Sequence, residues 1–332
     1  MKPLKFQVAL LMGLLVLITC AGASLLIGAR SVPFADAINA LLSGHRDTVN
    51  QIVVHERVPR MVFGILAGMS LGVSGAIMQA ITRNPIADPS ILGVNTGASL
   101  SVVIGIAFFS IGSAETYILF AIFGAAVTSV IVYGISSIGS GGITPIKLAL
   151  AGAATSAMLS SLVSALLLPR TEVMNQFRFW QVGSISGATW EGILALLPFL
   201  SLGLLASFVL APALDILSLG DELATGLGLK TQWIRLIGAF SGVLLCGATT
   251  ALSGPIGFVG LMVPHIVRLT VGSSLKRVLP ISALAGAILL LAADILGRVI
   301  GSPGELEVGI VTAFIGAPIL ILIARKAKVA SL

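Results

Sequence analysis

Apolar residues along this chain come in long runs whose length suits a bilayer better than a soluble core. Stretches free of Asp, Glu, Lys and Arg cover residues 6–29, 61–82, 89–114, 116–146, 148–169, 192–214, 236–267, 278–293 and 308–324. About twenty apolar residues suffice for a helix to cross the hydrocarbon. The run over residues 236–267 is too long for one helix and is interrupted by Ser253, Gly254 and Pro255, so it divides into two. The pattern predicts an all-α, polytopic membrane protein of about ten transmembrane helices, forming a single transmembrane domain over residues 1–332.

Between the second and third of these runs lies a polar hairpin, Arg83-Asn84-Pro85-Ile86-Ala87-Asp88-Pro89. Its prolines break the backbone and its charges are costly in hydrocarbon, so it belongs at an interface or against a partner. Composition agrees with a membrane protein: 57% of residues are hydrophobic, 10% are charged and the mean hydropathy is +1.09. The net charge of +6 is scattered between apolar runs rather than gathered on one face, which argues against nucleic acid. Cys20 and Cys246 are isolated in apolar segments and fit packing, not a metal site or disulfide framework. Lys2 and Lys5 before an apolar run ending at Thr19-Cys20 imitate a lipoprotein signal, but the apolar character continues to Gly28, a full span.

Basic residues set the expected orientation. With the N-terminus cytoplasmic, 12 of the 19 Lys and Arg fall inside: Lys2, Lys5, Arg83, Lys147, Lys230, Arg235, Arg268, Lys276, Arg277, Arg325, Lys326 and Lys328. Both lysine-bearing termini are then cytoplasmic, which requires an even number of crossings. Localisation in the cell (inner or plasma) membrane follows from the same reading.

Several stretches resemble the permease subunits of type II ABC importers, the FecCD family of iron-siderophore, haem and cobalamin permeases. They are Arg57-Val58-Pro59-Arg60, residues 74–79 leading into the Arg83–Pro89 hairpin, residues 218–229, residues 254–268, and the C-terminal set Asp294, Arg298, Glu305, Gly309, Gly316 and Pro318. Glu307 departs from the proline usual there. The resemblance implies a cobalamin-permease-like fold and import of an iron chelate, most commonly a ferric siderophore, with haem or cobalamin as alternatives. Implied partners are cytoplasmic ABC ATPase subunits, an extracytoplasmic substrate-binding protein and a second permease subunit, identical or paralogous. No cofactor or metal is expected on this chain. Residues 215–231 would be the cytoplasmic coupling region, with Ser218, Leu219, Gly220, Asp221, Glu222, Ala224, Leu227 and Gly228 meeting the ATPase. Arg57, Arg60 and Arg298 would receive glutamates of the binding protein. The fifth span would border the translocation path, with a preceding gate: Gly139, Gly141, Gly142, Thr144, Gly152, Ser156, Ser160 and Ser164.

The residues themselves leave plainer readings open. Residues 218–230 also read as a solvated connecting loop. Asp294 and Arg298, four apart, can pair on one helix face, and Arg57 adjoins Glu56. The Gly152-Ser156-Ser160-Ser164 stripe suits close helix packing. No G-x-x-x-x-G-K-[ST] loop occurs, so ATP and magnesium would be used by a separate subunit. Two other function classes compete. Gly72-Val73-Ser74-Gly75 with His265 matches, in four letters, a rhomboid-like intramembrane serine protease. A secondary transporter needs intramembrane acids, for which only Asp294 is a candidate.

Overall fold

The computed structural model describes residues 5–44, 47–85, 87–138 and 144–330, and in them the chain forms thirteen α-helices and one 3-10 turn. In chain order these are α1 (Phe6–Leu26), α2 (Phe34–Ser43), α3 (Val49–Thr82), the turn Pro89–Leu92, α4 (Val94–Phe109), α5 (Ala114–Ser137), α6 (Pro145–Leu167), α7 (Thr171–Gln181), α8 (Trp190–Leu217), α9 (Asp221–Gly226), α10 (Thr231–Ser253), α11 (Val259–Val271), α12 (Leu275–Ile300) and α13 (Val308–Ala330). Seven of them are long and apolar enough to span a membrane, and α4, α11 and the Val308–Leu322 part of α13 are shorter apolar stretches. Together these are the ten apolar helices the pattern predicts, and the split at Gly254 falls between α10 and α11.

α3 is the axis of the bundle and packs against α12, α10, α11 and α8. Its 34 residues reach roughly 51 Å at about 1.5 Å per residue, well beyond the hydrocarbon thickness. The first three turns therefore continue past the apolar run, and Arg57 and Arg60 stand inside a helix rather than before one. Thr48 starts it through a capping box: its hydroxyl accepts from Gln51 N, while Gln51 Oε1 accepts from Thr48 N at 3.0 Å. α2 lies along this extension, with Asn50 Nδ2 donating to Asp36 Oδ2 at 2.6 Å.

Helix contact in lipid relies on small residues, because burial from lipid offers little hydrophobic gain. Where α3 crosses α12, a Cβ at Gly68 would strike the Gly286 carbonyl, and one at Gly286 would strike the Gly68 carbonyl. Further along α3, Gln79 Nε2 donates to the Leu261 carbonyl (3.1 Å), and its Oε1 accepts a short hydrogen bond from Arg268 of α11. Two motif ends far apart in sequence thus meet at one crossing.

Candidate functional site

Polar side chains concentrate at the two ends of the bundle. At one end α8 stops at Leu217, and Gly220 turns the chain into α9 with a φ of 126°, in a region disfavoured for side-chain-bearing residues. Gly228, with a φ of 83°, turns it out again toward α10. Asp221 at the head of α9 is the fastener. Its Oδ1 takes a short contact from Arg83 Nη2 and a 2.8 Å bond from Arg235 Nη2, and the same Arg83 nitrogen donates to the Leu217 carbonyl at 2.9 Å. Arg83 ends α3 in the left-handed conformation, so the polar hairpin and the short helix are one unit.

Ala224 faces the bundle and is fully buried. Leu219 before α9, Leu223 within it and Leu227 at its end are 60–65% exposed, a group of apolar side chains on the outer surface of this turn. Glu222 is exposed, and the Ser218 hydroxyl donates back to the Asp215 carbonyl at 2.6 Å. The Asp215 carboxylate accepts from Ser274 Oγ (2.8 Å) and Leu275 N (2.6 Å), capping α12 from the end of α8. Sequence reasoning included Asp215 and Leu223 in the 215–231 region without singling either out, and it missed the Asp221 clamp; the fourfold spacing of Leu219, Leu223 and Leu227 was the available signal for Leu223. In the hairpin, Asp88 Oδ1 accepts from Ser90 N at 2.9 Å, and burial pushes its carboxyl above the usual range against the opposing effect of that bond.

The opposite end carries the three arginines. Arg60 donates to Asp294 Oδ1 through Nε (2.9 Å) and Nη2 (2.7 Å), and to Glu305 Oε2 through Nη1 (2.7 Å). Arg298 Nη2 lies 2.9 Å from Asp294 Oδ2, the pairing four residues apart that the sequence suggested. It also donates to the Ser24 hydroxyl (2.9 Å) and carbonyl (3.0 Å). Arg57 does not turn to Glu56 for a partner; it donates to the carbonyls of Leu25 (2.8 Å) and Arg30 (2.6 Å). Three cations and two carboxylates so tie α1, α3, α12 and the α12–α13 loop together. Asp294 and Arg298 are each only 1% exposed.

Along α6 the small-residue stripe divides. A Cβ at Gly152 would strike the Ile91 carbonyl, and Ser156 Oγ receives a 3.3 Å bond from Thr96 of α4, so this half is close packing. Ser160 and Ser164 are exposed on the chain's own surface, with Ser164 donating to the Ser160 carbonyl. Thr144 caps α6 by accepting from Lys147 N at 3.3 Å. Gly139, Gly141 and Gly142 lie outside the described residues. Among the described residues no group of His, Cys, Asp and Glu could hold a metal.

A profile described as the FecCD transport family matches residues 14–326. The chain belongs to the FecCD transport family. It is 45% identical over 314 residues to the ferric enterobactin transport system permease protein FepD of Escherichia coli (strain K12), covering 94% of this chain and 93% of that one. It is 42% identical over 318 residues to the Fe(3+)-citrate import system permease protein YfmD of Bacillus subtilis (strain 168), covering 96% and 94%. A solved metal-chelate type ABC transporter in an inward-facing conformation superposes with a TM-score of 0.84 at 29% identity, over 97% of this chain and all of that one. As a FecCD permease the chain is a transport subunit and not an enzyme, which sets aside the protease reading. Ser74 agrees, since its buried hydroxyl donates to the Gly242 carbonyl at 2.6 Å in a helix crossing. A proton- or sodium-coupled carrier is set aside with it, and Asp294, its candidate acid, is held between two arginines.

Proposed function

We propose that this permease moves a ferric siderophore into the cytoplasm in an ATP-driven importer, with a separate ATPase docking on α9. The observation that carries the reading is the pairing of an exposed leucine group with an inward carboxylate clamp. Leu219, Leu223 and Leu227 offer an apolar surface, and Asp221 links it through Arg83 and Arg235 to α3 and α10. Exposed apolar groups on a polar end mark contact surfaces. ATP and magnesium belong to the partner, because this chain has no phosphate-binding loop. The α9 end is cytoplasmic and so are both termini, in keeping with the lysine and arginine placement. The uncovered face of α6, with Met158, Leu162, Ser160 and Ser164 exposed, is the surface for a second permease subunit.

Leu223→Glu tests the contact. It places a carboxylate in the leucine group without touching the clamp, and it is expected to leave the Tm of the purified permease within about 2 °C. Recovery of a Walker-motif ATPase with the tagged permease, and uptake of labelled ferric siderophore, should both fall sharply. Full recovery and uptake would move the ATPase contact elsewhere.

At the other end, the guanidiniums of Arg57 and Arg298 are turned inward and donate to carbonyls of this chain, while Glu305 is the exposed member of the network. The extracytoplasmic binding protein docks by exchanging one of its own carboxylates for Glu305 on Arg60. Arg57 and Arg298 hold the rim in shape. Glu305→Gln, which removes the internal competitor, is expected to tighten docking of the binding protein on the assembled importer, read as a lower Kd in a titration at low salt. An unchanged Kd would rule out the exchange.

A further inference from the structure

A recess of about 360 Å³ opens between α5 and α10, within the roughly 300–1,000 Å³ typical of small-molecule sites. It exists because the facing positions are small: Ala125, Ala126 and Gly134 on α5 oppose Ala239, Gly247 and Ala248 on α10. Apolar side chains flank it, with Val130 72% and Phe240 56% exposed. Ser129 of the wall spends its one hydroxyl hydrogen on the Ala125 carbonyl at 2.8 Å, leaving no donor there and fewer than the two to four partners a held water needs. An apolar hollow on a membrane helix pair forfeits dispersion contacts unless an apolar group enters it.

The end of the recess nearest α9 is different in kind. Tyr133 brings a hydroxyl to the wall, within electrostatic reach of Arg235. The Nε of Arg235 is buried and has no hydrogen-bond partner, while its Nη2 holds Asp221. Trp233, 61% exposed, lies one turn before Leu236 on the α10 face that lines the recess. Lys147 adds a positive charge beside the end of α5, donating to the Ile138 carbonyl at 3.2 Å. Four cations, Arg83, Lys147, Lys230 and Arg235, share this end with three carboxylates, Asp215, Asp221 and Glu222, leaving basic charge in excess. Aromatic side chains at headgroup level and surplus basic charge are what an anionic lipid meets at a membrane interface.

We propose that the α5–α10 recess binds one acyl chain of an anionic phospholipid whose headgroup sits at Tyr133, Trp233 and Arg235. Because Arg235 also holds Asp221, the lipid charge bears on the α9 clamp. The binding site itself depends only on the membrane setting of the chain; the link to ATPase coupling rests on the function proposed above.

Native mass spectrometry of the full-length purified permease, titrated with phosphatidylglycerol or phosphatidylcholine, tests it. Phosphatidylglycerol is expected to be retained roughly fivefold better, about the factor for one basic side chain acting on one lipid charge. Gly134→Leu, where an added Cβ meets open space, fills the recess from within and should abolish that preference at an unchanged Tm. Val130→Trp, at an exposed wall position, provides a second filling variant should Gly134→Leu misfold. Equal retention of the two lipids, or a preference that survives both variants, would overturn the site. So would a disulfide between copies carrying Val130→Cys and Phe240→Cys, because the face would then be covered by protein. None of these readouts requires the ATPase, so a failed coupling reading leaves them interpretable.

Discussion

Asp294→Asn is expected to cost this permease about 3–5 kcal/mol, the range for removing one partner from a buried ion pair. Asparagine keeps the volume and one acceptor oxygen, so the loss isolates the charge. The remaining oxygen can still accept from one arginine, but Arg60 would keep only Glu305 as a paired carboxylate and Arg298 none, each with positive charge left in a buried setting. The loss should appear as a lower Tm and a smaller monodisperse fraction after extraction in detergent, and salt should change it little because the site is shielded from the Debye atmosphere. A second variant separates charge from packing. Asp294→Leu combined with Arg298→Met replaces the pair by apolar groups, while Arg60 retains Glu305. This double variant is expected to recover a large part of the lost stability, since buried pairs replaced whole are often neutral. If Asp294→Asn unfolds like the unaltered protein, the network is not holding α1, α3 and α12 together.

The same network shows where reading the sequence succeeds and where it stops. Asp294 and Arg298 could be paired on paper because four residues on a helix bring side chains to one face. Arg60 could not be joined to Asp294, 234 positions away, nor Arg57 to the carbonyls of Leu25 and Arg30, because those contacts follow from how α3 packs, which no local period encodes. The ten apolar helices were legible for the opposite reason: each is written in its own run of residues, since the bilayer demands an apolar exterior segment by segment. Length outside the bilayer was not. The first three turns of α3 are polar and fell outside the run, and α2 and α7 are short amphipathic helices that owe their place to neighbours. α7 buries Val173 and Phe177, a spacing of four that is too brief to stand out in an apolar chain. At the α9 end the resemblance singled out residues 218–228, yet the clamp seen there depends on Arg83 and Arg235, which come from either side of α9 in sequence.

Asp221→Lys should leave the permease folded and make it useless for transport. The carboxylate is 48% exposed, where ion pairs contribute about 0–1 kcal/mol, so the Tm is expected to move by only a few degrees. Function should respond differently, because the reversal sets a third cation against Arg83 and Arg235 and drives the head of α9 away from α3 and α10. Coupling free energies typically span about 5–150-fold, and loss of the acid that joins the three elements belongs at the upper end. Uptake of labelled ferric siderophore in proteoliposomes holding the complete importer is therefore expected to fall by roughly a hundredfold, with ATP hydrolysis persisting but no longer stimulated by the loaded binding protein. Charge restoration supplies the control. Arg83→Glu in the Asp221→Lys background re-forms one pair with reversed sign, and partial recovery of uptake would show that the link between α3 and α9 carries the motion. The cycle of Asp221→Ala and Arg83→Ala should be strongly non-additive for uptake, since either change already breaks the connection. Additive losses would mean that α9 passes its motion to α8 or α10 and that Arg83 merely ends a helix.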